Sequence, residues 1–147
     1  YQERYASIYQ KEQRYAYAIC LKENNLPIDY VNIDLDDSHD LGYGLKKEYW
    51  HQGIVSEAVE AVIQQAKKDN LCYLTATHDI KNNHSGNVMK MVGMHYCYSY
   101  KEQWMPKNRP VIFRMYQINL DGKNGFIKNI GINMNILLKK TYKGQVI

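Results

Sequence analysis

The hydrophobic and polar positions fall into short alternating runs at the front of the chain, a long helical repeat in the middle, and further short runs after it. Tyr15–Leu21 has the aromatic and apolar content of a strand, and Glu23–Asn25 supplies a turn. The returning run "LPIDYVNIDL" alternates, with Ile28, Tyr30, Asn32 and Asp34 on one face and Val31, Ile33 and Leu35 on the other. "DDSHD" turns the chain again, and Leu41–Leu45 forms a third strand of an antiparallel meander. The spacing then changes. Ile54, Ala58, Val62 and Ala66 recur every four residues, flanked by Val55, Val59 and Ile63. That stripe predicts an amphipathic helix over Gly53–Asn70, with its glutamates early and its lysines late, as a helix dipole favours. Cys72–Asp79 reads as a fourth strand. "KNNHSGNVMKMVG" is a short helix stopped by Gly93, with Met89, Met91 and Met94 as core filler. "MHYCYSYKEQW" and "VIFRMYQINL" are two more strands around the turn-rich "MPKNRP". The strands flanking the long helix are expected to run parallel, since a helical crossover joins parallel neighbours.

The ends are less patterned. Residues 1–13 admit a polar helix. From Asp121 the chain is rich in Asn, Gly, Lys and Ile without a clean period. The expected division is a domain over 1–120 and a weakly structured tail over 121–147, with room for an edge strand around Ile132–Leu138.

Composition changes this picture little. A chain of 147 residues suits one domain, and its fourteen tyrosines suit half-buried strands. Three widely spaced cysteines without a CxxC pair suggest reduced thiols and a cytoplasmic location. The net charge of +4 is scattered and forms no Lys/Arg stripe, which argues against nucleic acid as partner. No apolar run is long enough to span a membrane. His78, Asp79 and His84 fit no common zinc spacing, so no metal is expected.

The candidate chemistry gathers at the joint between the third strand and the long helix, in "EYWHQGIVSEAV". A helix start leaves backbone N–H groups unpaired and carries a partial positive charge. Behind a glycine-containing turn it can hold a phosphate, with Gly53 allowing close approach and Ser56 offering a hydroxyl.

Two stretches resemble the GNAT superfamily of N-acetyltransferases, in the branch similar to ribosomal-protein alanine acetyltransferases. The family's Q/R-x-x-G-x-G/A signature corresponds to Trp50-His51-Gln52-Gly53-Ile54-Val55, followed by Ser56-Glu57-Ala58 for the branch's T/S-E-A. A second family stretch is matched by Asn82, Ser85, Val88, Gly93 and Met94. Trp50 and Val55 depart from the signature. The resemblance covers about Tyr15 to Leu120. It implies an α/β fold with a mixed, mostly antiparallel sheet, a long helix after the family's fourth strand and a short one after its fifth. The family's N-terminal strand and helices are largely missing from the sequence.

The resemblance further implies acetyl-CoA as cosubstrate. Its diphosphate would lie on the amides of Gln52, Gly53, Ile54, Val55 and Ser56, and its arm along Leu45 and neighbouring backbone. Asn82 would steady the arm, and Ser85 would face the thioester. The implied activity is acetyl transfer to an amine, either a protein N-terminus or a small molecule, by direct attack. The alternative is a truncated CoA-binding remnant without turnover. An unpaired edge strand leaves room for a homodimer. The candidate catalytic groups are Ser85 and Tyr96 as acids and His78 as base, while Glu48 and Glu57 read as solvated carboxylates. At pH 7 an α-amino group is neutral in about one molecule in seven and a lysine in roughly one in 2,500, so an N-terminal acceptor asks little of a base.

Overall fold

Among the described residues, six strands and two helices follow the order expected from the sequence. The computed structural model describes residues 14–105 and 107–125. The expected helix over 1–13 and most of the tail, with the edge strand around 132–138, lie outside the described residues. The strands are β1 (Arg14–Cys20), β2 (Pro27–Asp34), β3 (Leu41–Tyr43), β4 (Tyr73–Asp79), β5 (His95–Trp104) and β6 (Arg109–Asn119). The helices are α1 (Ile54–Lys68) and α2 (Asn83–Met91), with a 3-10 turn at Lys47–Tyr49.

The strands form two antiparallel sheets of three, in the orders β1-β2-β3 and β4-β6-β5. Strand β6 thus inserts between β4 and β5 and pairs with both. The two sheets meet at a parallel bridge between Asp40 and Thr75, in the direction expected for strands flanking a helical crossover. Beyond that bridge β3 and β4 part, and the fork between them is the feature that matters for the site. The amides of Gly44 and Lys46 still bond back to the carbonyls of Tyr30 and Ile28 on β2. Backbone alternation therefore turns Tyr43 and Leu45 toward the gap.

The core lies where the sheets receive the helices. Val59, Val62, Ile63 and Ala66 of α1 are buried against Ile28, Val31, Ile33, Leu41, Leu74 and Ala76. Two details differ from the sequence reading. Ile19 pairs with Asp29 but Cys20 pairs with Pro27, so Ile28 is an extra residue in β2. This bulge moves Ile28 from the face of Tyr30 to the core side, alongside Val31 and Ile33. Met89 and Met94 are core residues, but Met91 is 72% exposed, because two residues along a helix lie nearly opposite each other. Among the described residues no helix is long and apolar enough to cross a membrane.

Candidate active site

The corner between β3 and α1 is built from unusual backbone. Trp50 is extended, and His51 (φ 62°) and Gly53 (φ 76°) both take the left-handed conformation. Glycine accepts this freely, whereas for His51 it costs about 1 kcal/mol. The alternation gives successive N–H groups a concave arrangement of the kind that holds anions. No side chain caps α1 at Gly53, and the first intrahelical bond runs from the Glu57 amide to the Gly53 carbonyl at 3.0 Å. Among the described residues, a Cβ placed on Gly53 would meet nothing within 4 Å. Among the described residues the helix head is therefore uncovered, and its first amides are not consumed by the helix.

Side chains hold this corner in place. The Trp50 indole N–H donates to the Leu45 carbonyl at 2.8 Å, tying the corner to the strand it follows. The Trp50 ring packs on His84 at 5.6 Å, and His84 meets His51 edge-on at 5.0 Å. The Ser56 hydroxyl points to the Met91 sulfur at 3.9 Å.

On the other side of the gap, Asn82 caps α2 by accepting from the Ser85 amide at 3.2 Å. The Ser85 hydroxyl does no capping. It donates to the Tyr43 hydroxyl at 3.1 Å, and Tyr43 in turn donates to the Ser85 carbonyl at 2.8 Å. This closed pair ties β3 to α2 across the fork. Burial pushes the Tyr43 phenol up to about 12, so it remains a neutral donor.

Between these elements lies a cavity of about 630 Å³, within the usual range for small-molecule sites. It brings together every residue expected at the cofactor: Leu45, Gln52, Gly53, Ile54, Val55, Ser56, Asn82 and Ser85. Asp29, Tyr30, Tyr43, Tyr49, Trp50, His51, His84, Asn87, Val88 and Met91 also line it.

The other two catalytic candidates lie elsewhere. His78 is 4% exposed and packs beneath α2, where a Cβ on Gly86 would come within 2.7 Å of its Nε2. Its Nδ1 bonds the Asp79 carbonyl at 2.8 Å and its ring meets Tyr116 at 5.5 Å. Burial lowers its pKa, so the structure holds a neutral imidazole in a packing role. Tyr96 is 52% exposed, with its hydroxyl 2.9 Å from that of Ser99. Neither residue lines the cavity.

A group that sequence reasoning passed over stands at the root of the fork. The run Asp34–Asp40 contains four aspartates, and it reads from the sequence only as a turn. In the fold it is fastened to β4. Thr75 donates to the Ser38 carbonyl at 2.7 Å, Tyr73 donates to the Asp37 carbonyl, and His39 stacks on Tyr73 at 4.7 Å. Burial, reinforced by Asp34 and Asp36, pushes the Asp40 carboxyl up to about 6. By strand alternation Asp40 faces away from Leu41 and Tyr43, hence away from the helices. The Tyr100 phenol is also pushed up, mainly by burial and secondarily by the charges of Glu102 and Asp40. The density of acid beside a short strand was the available signal.

Solved structures share this architecture. A GNAT-family acetyltransferase from Bacillus anthracis aligns with 72% of the chain and 66% of its own length, at 22% identity and a TM-score of 0.65. The ribosomal-protein-S5-alanine acetyltransferase of Vibrio fischeri aligns with 84% of the chain and 70% of its own length, at 19% identity and a TM-score of 0.71. The microcin C7 self-immunity acetyltransferase, solved in complex with acetyl-CoA and AMP, aligns with 80% and 67%, at 16% identity and a TM-score of 0.71. The chain thus spans about two thirds of the length of these proteins. No curated protein matches it by sequence. Residues 1–95 match the acetyltransferase (GNAT) domain, and with that match the chain belongs to the GNAT acetyltransferase family.

Proposed function

We propose that the chain transfers an acetyl group from acetyl-CoA to an amine by direct attack. One observation carries this reading: an uncapped helix head, with left-handed Gly53 facing open space, borders the cavity between the parting strands. The fit to the cofactor is chemical. The amides at the start of α1 suit a diphosphate, and the gap-facing backbone of Tyr43 and Leu45 suits an extended amide-bearing arm added as a strand. The Leu45 carbonyl is already taken by Trp50, which leaves its N–H and the Tyr43 backbone for that role.

Bound acetyl-CoA supplies an acetyl group activated as a thioester. Asp40 stands at the fork root outside the cavity lining, and it receives the amine's proton through an intervening water as the amine approaches from the face opposite the helices. With a pKa of about 6 the carboxyl is mostly ionised at pH 7. Moving a proton to it from an α-amino group near 7.8 is uphill by about 2.5 kcal/mol, and from a lysine near 10.4 by about 6 kcal/mol. A protein N-terminus or a small amine of low pKa is therefore the better acceptor. Ser85 lines the cavity, and when its hydroxyl rotates from Tyr43 it passes its proton to the departing sulfur and regains one from the nitrogen of the tetrahedral adduct, so no alkoxide is left. Tyr43 holds it ready and keeps its own proton.

Titration calorimetry with acetyl-CoA, followed by a thiol-release assay across amines, tests this. The expected result is binding, then CoA release favouring α-amines over lysine side chains. Binding without release over a broad panel would support the remnant reading, and no binding would overturn both.

A further inference from the structure

The face of β3 that carries Asp40 continues at Gly42, since alternate residues of a strand share a face. Register places Gly42 opposite Asn32 of β2. With no side chain at Gly42, the Asn32 amide lies over that backbone. A Cβ there would come within 2.8 Å of Asn32 Oδ1 and 3.5 Å of its Nδ2. Asn32 is half-buried, and among the described residues its amide has no hydrogen-bonding partner. Across the fork on the same face, the Tyr100 ring stacks on Phe113 at 5.7 Å and its phenol reaches Thr77 of β4. Beside Asp40 this face thus offers an amide on one bank and hydroxyls on the other, groups that both donate and accept.

We infer that Asn32 determines which amine is accepted: its side-chain amide hydrogen-bonds the first amide group behind the acceptor's amine, so that α-amino amides are preferred. This rests on the reading that the amine meets Asp40 from this face. A peptide or primary amide group carries N–H and C=O, the complement of Asn32 Oδ1 and Nδ2. Positions 40 and 42 lie about 6.6 Å apart along the strand. One residue of extended peptide, about 3.5 Å, plus one hydrogen bond of about 2.9 Å covers that distance. Gly42 belongs to the same device, because a side chain there would displace the Asn32 amide.

Three α-amines test this in thiol-release assays: alaninamide, an alanine-initiated tetrapeptide, and alanine methyl ester, in which oxygen replaces the N–H that Oδ1 would accept. Wild type is expected to use both amides about tenfold better than the ester in kcat/KM, the worth of one hydrogen bond whose protein partner the ester leaves unpaired. The better of the two amides identifies the acceptor as a small α-amino amide or a polypeptide. In Asn32→Leu the preference should shrink to within about twofold, mainly through a higher KM for the amides. Gly42→Ala should do the same with Asn32 still present, because its methyl would crowd Oδ1. A preference retained in full by folded Asn32→Leu overturns the assignment and leaves acetyl transfer standing. So does a wild type that uses amides and ester equally, a result that needs no variant to fold. No CoA release over a broad amine panel overturns the proposed activity as well.

Discussion

The two ends of the fork between β3 and β4 are built on opposite plans. At its root, side chains are spent on closing the structure: Thr75, Tyr73 and His39 fasten the aspartate-rich turn to β4 around a parallel bridge. At its mouth, backbone is left unspent, with an uncapped helix head and a strand edge facing a cavity. At the root, burial reinforced by neighbouring aspartates pushes Asp40 up to about 6, whereas the mouth offers amides and imidazoles. Anionic ligands are favoured at one end and cations at the other. On the proposed function, a single short strand would separate the place of the phosphates from that of the amine.

Substitutions at each end should separate these roles. The largest effect is expected from Gly53→Glu. Its side chain meets open space, so circular dichroism should remain near wild type apart from the roughly 1 kcal/mol cost of positive φ. Its carboxylate would occupy the anion site and weaken acetyl-CoA binding by about 100-fold or more, since like charges at an interface cost several kcal/mol. Unchanged affinity would remove the helix head from the cofactor site.

Next comes Asp40→Asn, which should lower turnover by roughly 10²–10³ if the carboxylate is the base. The same change should raise stability. A carboxyl whose folded pKa is raised gives stability that is full below the unfolded value near 3.9 and lost as pH rises through about 6. Removing its charge should therefore gain about 1–3 kcal/mol at pH 7 and much less at pH 4, read from chemical denaturation at both. His78 acts with the opposite sign. Its folded pKa is lowered, so its contribution is present above about 6.5 and lost as pH falls below that value.

Gly86→Ala should cost about 1–3 kcal/mol, since the new methyl would come within 2.7 Å of the His78 ring. Acetyl-CoA affinity of the folded fraction should change little. The smallest effect is expected from Tyr43→Phe, which frees Ser85 from its partner. It should cost about 1 kcal/mol of stability and lower kcat several-fold with KM nearly unchanged. An unaltered kcat would make the pair purely structural.

Much of this was readable in the sequence because it is local. The stripe on α1 and Gly53 at its head depend on spacing within a few residues, and so do Asn82 and Ser85 at the start of α2. What was hidden depends on partners distant in the chain. The bulge at Ile28 shows only in the pairing of β1 with β2. The insertion of β6 between β4 and β5 is one of several arrangements a terminal hairpin allows. His78 looked exposed and reactive because nothing local reveals that glycine at position 86 lets a helix lie over it. Asp40 looked like a turn residue because its burial comes from another strand.

The bond from Trp50 to the Leu45 carbonyl carries one more consequence. It fastens the loop to its own strand, so the distance from strand edge to helix head is set by the width of one ring system. On the proposed function, that ring system would act as a gauge for the span between a guest's charged end and its flexible tether. A smaller residue at position 50 would leave the parts in place and reset the gauge.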